Sequence, residues 1–170
     1  MTPDTVGPLS RPYDVKNLPA KGTEVHVAAT AAECAELAKD FGLPAIHSLS
    51  ADFNLHSSAK GVHVAGVVKA RITQICVVTL ESFDSDIEEE VEVDFAESSG
   101  MPPEPPTEMH EYEPPDEIVN GEIDLGTLAS EFLALGLDPY PRKPGVEFDY
   151  RDPADAEDSP FAALNKLKGE

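Results

Sequence analysis

Over residues 87 to 95 the chain alternates strictly enough to dictate its geometry. Ile87, Val91, Val93 and Phe95 fall on one parity, and Glu88, Glu90, Glu92 and Asp94 on the other. Successive side chains of a strand point to opposite faces, so this pattern predicts a strand with one face in a core and one in water. Glu89 shares the apolar parity and is expected at the sheet margin. Upstream the same demand recurs: Val62, Val64, Gly66, Val68, Ala70 and Ile72 share a parity, opposite Val67, Lys69, Arg71 and Thr73. Gly66 is the expected place of a bend or bulge. A further strand is expected over residues 75 to 83, with the turn at 82 to 86. Residues 45 to 54 read as extended and 57 to 61 as a turn. These links are too short for crossover helices, so the strands predict an antiparallel meander.

Helices flank this run. Thr30 and Glu33 have capping-box spacing, in which the hydroxyl accepts from a free N–H and the carboxylate reaches back to the cap. Ala31, Ala35, Ala38 and Phe41 then form a stripe, with Cys34 and Leu37 nearby, and Gly42 and Pro44 end the helix. Asp124 is placed to cap a second helix over residues 125 to 135, with Leu128, Phe132 and Leu135 on its apolar face and Gly136 closing it. Ser159 and Pro160 predict a third start, and Phe161, Leu164 and Leu167 give residues 159–170 the spacing of a short amphipathic helix. Such a helix is too short to stand alone and has to dock on the domain or on a partner. A strand at residues 23 to 27 is expected to pair with the segment around residues 9 to 13, with Pro12 at an edge.

Composition sets the domain plan. A chain of 170 residues suits one domain with attachments. Residues 1–8 are expected to be a flexible start and residues 9–158 a single domain. Residues 96–118 are rich in Pro and acids and predict an extended acidic loop within it. The N-terminus lacks a basic start and an apolar core, which argues against secretion. No apolar run approaches the length of a membrane span. Two cysteines, Cys34 and Cys76, cannot make a disulfide framework and read as separate buried thiols. The expected setting is the cytoplasm.

Charge narrows function. The net charge is −21, from 12 Lys and Arg against 33 Asp and Glu. Nucleic-acid binders neutralise phosphates with cations, so this balance argues against a bare DNA or RNA backbone binder. No Lys or Arg lies between Arg71 and Arg142. Glu81, Asp84, Asp86, Glu88, Glu89, Glu90, Glu92 and Asp94 crowd one stretch. That run is either a solvated sheet face or a negative platform for a basic protein surface. A small basic set, Lys60, Lys69, Arg71, Arg142 and Lys143, could contact RNA or could neutralise neighbouring carboxylates. Catalytic patterns are missing: there is no phosphate loop, no GxGxxG, no HExxH and no nucleophile elbow. His47, His56 and His63 could be brought together across hairpins, but they lack metal-site spacing, and Cys76 has Thr79 where a zinc pair needs a second ligand. Neither a metal nor a cofactor is expected, and no catalytic residue is assigned.

The order of these elements resembles the YceD-like proteins, the DUF177 family. The resemblance rests on the run from Cys76 to Phe83 after the long strand, on Asn120, Gly121, Glu122, Ile123, Asp124 and Leu125 at the second helix, and on the tail from Ser159 to Lys168. It covers nearly the whole chain. Members typically carry a Cys-x-x-Cys run after a strand; this chain keeps Cys76 and has Thr79 in the second place, which speaks against zinc here. The resemblance implies a link to accumulation of large-subunit ribosomal RNA.

Together these readings predict an α+β domain whose antiparallel sheet is strongly curled or a partial barrel, with flanking short helices. The expected function is a non-enzymatic factor in large-subunit ribosomal RNA accumulation or ribosome assembly, acting as an acidic protein-binding module for a basic ribosomal or assembly protein. The residues expected to bind that partner are Asp84, Asp86, Glu88, Glu90, Glu92, Asp94, Phe161, Leu164 and Leu167. The alternatives are direct RNA contact through the basic set, or an enzyme of unknown reaction. No DNA and no membrane partner are expected.

Overall fold

The computed structural model describes residues 7–59, 61–97 and 115–147. The terminal helix with Phe161, Leu164 and Leu167, residue Lys60, and most of the acidic loop expected at 96–118 lie outside the described residues. The chain runs β1 (Pro12–Asp14), a 3-10 turn (Val15–Asn17), β2 (Thr23–Ala28), α1 (Ala31–Asp40), β3 (Ala45–Ser58), β4 (Gly61–Ile75), β5 (Ser82–Glu97), β6 (Asp116–Ile118), β7 (Glu122–Asp124) and α2 (Leu125–Leu135).

The principal sheet has the order β2-β3-β4-β5-β6, and β1 pairs with β7 in a separate two-stranded ribbon. The expected meander is present from β2 to β5. The expected strong curl or partial barrel is not: the sheet is open, because β2 at one side and β5 with β6 at the other do not pair. Closure needs a staggered register and bulges that bend strands around. β4 and β5 instead pair without a shift from Val62↔Phe95 to Ile75↔Ser82, and the shift between β3 and β4 is confined to Ile46/Ser48. That shift re-aims β3, so that Ile46 and then Leu49, Ala51, Phe53 and Leu55 all reach the core. The helices occupy the side a barrel would have enclosed: α1 lies on β3, and α2 touches β1, β2, β4 and β5.

Other expectations also change. β2 pairs with β3, whereas the segment before the 3-10 turn pairs with β7. β6 runs parallel to β5, so the sheet is not wholly antiparallel. Residues 76 to 81 form the hairpin turn, and residues 82 to 86 are already in β5. Cys76 N–H donates to the Glu81 carbonyl at 2.9 Å, and Leu80 N–H returns to the Cys76 carbonyl at 2.9 Å. Leu80 takes a positive φ of 60° there, a conformation that gives no Gly or Pro signal in the sequence.

Both helix starts form as expected. Thr30 and Glu33 close the capping box, and the Asp124 carboxylate accepts from the N–H groups of Gly126 and Thr127. The buried stripe of α1 is Cys34, Leu37 and Ala38, while Ala31 and Ala35 face water; in α2 Leu135 is exposed and Leu125, Leu128, Ala129 and Leu133 are buried. Arg11 ties the two caps together. Its guanidinium makes a two-pronged bond to Glu33 at 2.8 and 3.0 Å, and its N–H donates to Asp124 at 2.7 Å. The Arg11 hydrogen bond, with those of Thr30, holds the Glu33 carboxyl down at about 2. Folding therefore favours the charged form, and the stabilisation is complete above the unfolded value near 4.5 and lost as pH falls through about 2. Glu33→Gln is expected to flatten the dependence of melting temperature on pH across that acid window, measured by circular dichroism.

Gly66 is not a bulge. It pairs straight with Phe53 on one side and Val91 on the other. A Cβ there would lie 2.2 Å from the Asp52 carbonyl oxygen and 3.0 Å from Phe53, so the glycine allows β3 to approach β4. Gly66→Val is expected to destabilise the domain by about 1–3 kcal/mol, read as a lowered urea midpoint.

Candidate partner-binding face

The fold puts the alternation of β5 to use. Ile87, Glu89 and Val93 are half-buried and Val91 and Phe95 are buried, while Asp84, Asp86, Glu88, Glu90, Glu92 and Asp94 are all exposed. The sheet has its helices on one side, so these six carboxylates stand in a row on the other. Glu89 lies inside the row's parity break: its side chain sits where a Cβ on Gly136 would be, 2.6 Å away, so α2 ends against it.

Register decides which carboxylates are neutralised. Thr73, Arg71, Lys69, Val67, Ala65 and His63 of β4 stand opposite Asp84, Asp86, Glu88, Glu90, Glu92 and Asp94 in turn. Arg71 reaches Asp86 at 3.1 Å and Asp84 at 3.8 Å, Lys69 reaches Glu88 at 3.1 Å, and His63 Nδ1 lies 2.8 Å from Asp94. The Thr73 hydroxyl donates to Asp84 at 2.7 Å and is the main reason that this carboxyl sits below its usual value, with His47 and Arg71 adding to the effect. Glu90 and Glu92 face only Val67 and Ala65. Exposed pairs of this kind contribute little to stability. Their effect is on the pattern of charge, which is partly neutralised at one end of the row and fully negative in its middle.

The basic set is brought together only in part. Lys69 and Arg71 share the acidic face and neutralise it, as one of the two readings expected. Lys143 lies beyond the hairpin end and binds Glu81 at 3.0 Å. Three histidines pair with this face's acids, which the sequence reading missed: His26 with Asp52 at 2.6 Å, His47 with Asp84 at 3.5 Å, and His63 with Asp94. The signal was available only through register, since His26 and Asp52 are 26 positions apart. His56 and His63 are register partners, but among the described residues no group of three His, Cys, Asp or Glu could hold a metal ion. An open groove of about 690 Å³ lies along β6, β7 and the start of α2. Its Asp124 is used as a helix cap, and its Glu131 is pushed up by burial and by the charges of Asp116 and Asp124.

Cys76 lies at the foot of the row. It is fully buried, and its thiol is held down at about 6 by the Thr79 hydroxyl first, then by the N–H groups of Lys143, Thr79 and Val78. Val77 N–H donates to the Pro141 carbonyl at 2.9 Å, so the hairpin turn and the segment after α2 are bound to one another. The Cys34 thiol, by contrast, is pushed up by burial. Folding favours the Cys76 thiolate, so its contribution is complete above the unfolded value near 9 and lost as pH falls through about 6. The ultraviolet thiolate band of the folded protein is expected to titrate at about 6, and Thr79→Val to raise that midpoint.

Comparison with known proteins completes the site. A family model described as "Large ribosomal RNA subunit accumulation protein YceD" matches residues 64–168. No curated protein and no solved structure matches the chain. The match begins in β4 and takes in the hairpin turn, the acidic strand, Cys76 and the whole of α2. It spans more than half of the 170 residues. The chain thus belongs to the YceD family, which is linked to large-subunit ribosomal RNA accumulation.

Proposed function

We propose that this protein acts in ribosome assembly through its acidic sheet face, which binds a basic ribosomal or assembly protein. The observation that carries the reading is the row of six exposed carboxylates on β5, of which Glu90 and Glu92 face no cation among the described residues. A negative row fixed on a rigid sheet steers a basic partner and sets its register more than it adds affinity. The Lys69 and Arg71 pairs leave the centre of the row as its most negative part. Asp84, Asp86, Glu88 and Asp94 frame that centre. Phe161, Leu164 and Leu167 supply an apolar contact in this reading, which for them rests on sequence spacing alone. A basic partner held this way is released when ribosomal RNA competes for its cations. Among the described residues no helix is long and apolar enough to cross a membrane. The reading places the protein in the cytoplasm, where ribosomes assemble.

The test is affinity capture with the full chain as bait, with and without ribonuclease, read by mass spectrometry. Basic large-subunit or assembly proteins should be recovered after ribonuclease treatment, and a Glu88→Lys, Glu90→Lys, Glu92→Lys triple variant should reduce their recovery on the order of 10-fold. Loss of all recovery with ribonuclease, or equal recovery by the triple variant, overturns the acidic-face reading.

A further inference from the structure

Among the described residues, the outer side of β5 is a bare sheet edge for most of its length. β5 spans 16 residues, but β6 covers it only from Phe95 to Glu97. Among the described residues nothing pairs with residues 84–94 on that side. An uncovered strand of this length is a template for another chain, and folded proteins usually shorten, bulge or cover such edges. Here the strand is in continuous register and the edge runs ~34 Å at the usual rise per residue.

The direction of its backbone groups follows from one hydrogen bond. Cys76 N–H donates to the Glu81 carbonyl, and the same register continues through Ile75↔Ser82 to Val62↔Phe95. Antiparallel pairs alternate between those that exchange backbone bonds and those that do not. Odd-numbered residues of β5 therefore bond to β4, and the N–H and C=O groups of Asp84, Asp86, Glu88, Glu90, Glu92 and Asp94 point to the open side. The residues whose backbone groups have no strand partner among the described residues are the same ones whose carboxylates stand on the solvent face. A strand added to this edge would have every second side chain beside that row.

We propose that the edge of β5 over residues 84–94 receives an extended segment of the partner protein as an additional strand, with Lys or Arg at alternate positions beside Glu88, Glu90 and Glu92. Main-chain bonds to the edge supply the attachment and the alternating cations supply the selection. A second copy of β5 is a poor occupant, because it would set carboxylates beside carboxylates. The proposal rests on the acidic-face reading above and adds the mode of binding to it.

Proline gives a clean test, because at residue 90 the lost N–H is one that points outward. Glu90→Pro removes an edge donor without breaking a bond to β4. Glu90→Gln has the same charge and keeps the donor. The probe is a synthetic peptide of about ten residues alternating Lys and Thr, titrated onto the full-length chain, with backbone amide exchange followed by NMR. The expected result is slowed exchange at the amides of Asp86, Glu88, Glu90 and Glu92 on binding. Affinity should fall on the order of 10-fold or more from Glu90→Gln to Glu90→Pro, with the circular dichroism of the two variants alike. Equal binding by these two variants, with loss only in a Glu90→Gln, Glu92→Gln double variant, overturns strand addition and leaves the acidic face standing. Absence of binding by the unaltered chain overturns the proposal, as does slow exchange at these amides before peptide is added, which would show the edge already occupied by the chain itself or by a second copy. If Glu90→Pro changes the circular dichroism, Glu88→Pro against Glu88→Gln repeats the comparison one outward position away.

Discussion

The unbroken pairing of β4 with β5 is the constraint from which the rest follows. Fourteen residue pairs in a single register, Val62↔Phe95 through Ile75↔Ser82, leave no freedom in which side chain faces which. A slip of one residue would turn Val91 and Phe95 to water and the carboxylates into the core. The register is held from both faces. On the inner face Val64, Val68, Ile72, Val91 and Phe95 are buried together. On the outer face the Lys69–Glu88, Arg71–Asp86 and Thr73–Asp84 contacts are correct only in this alignment. Each outer contact is weak, yet each would be replaced by a mismatch on slipping.

The two ends of this ladder are secured differently. At the turn, Cys76 draws donors from both the hairpin and the chain after α2, and Val77 bonds to Pro141. A buried sulfur with several donors fixes a turn that has no glycine to relax it. At the other end, Gly61 has a φ of 149°, and the Phe95 carbonyl would lie 1.9 Å from a Cβ there. Residue 61 must therefore be glycine for β5 to come alongside β4 up to Phe95. The caps of α1 and α2 are joined through Arg11, which couples the helical layer to the same sheet from the N-terminal side.

Local features were legible in the sequence, and long-range ones were not. The Thr30–Glu33 box, the Asp124 cap and the parity of residues 87 to 95 all depend on neighbours within four positions, and all formed. The turn at residues 76 to 81 was misplaced because Cys76, Val77 and Val78 look like strand, and a leucine at positive φ looks like nothing. The partner of β2 and the parallel β6 depend on pairings that periodicity cannot specify. Curl was expected from the strand pattern, but parity says only which side is buried. Whether a sheet closes depends on which edges meet, and the two helices fill that side first. The acidic row was visible as composition. Its division into neutralised and free carboxylates was not, because moving the turn changes every opposite number along β5.

Charge and edge have one physical explanation between them. A long strand with unsatisfied outward N–H and C=O groups invites any extended chain, including its own copies. Carboxylates on alternate residues repel copies and acidic chains and admit a basic one. Protection against aggregation and choice of partner are then the same device seen with different neighbours. The intrachain pairs of Lys69 and Arg71 sharpen that choice, since they remove charge where β4 can supply a cation and leave it at Glu90 and Glu92, where β4 presents Val67 and Ala65. Under the proposed strand addition, such a strand would distinguish basic segments that still lack their RNA from those that have it, because phosphate and carboxylate compete for the same cations.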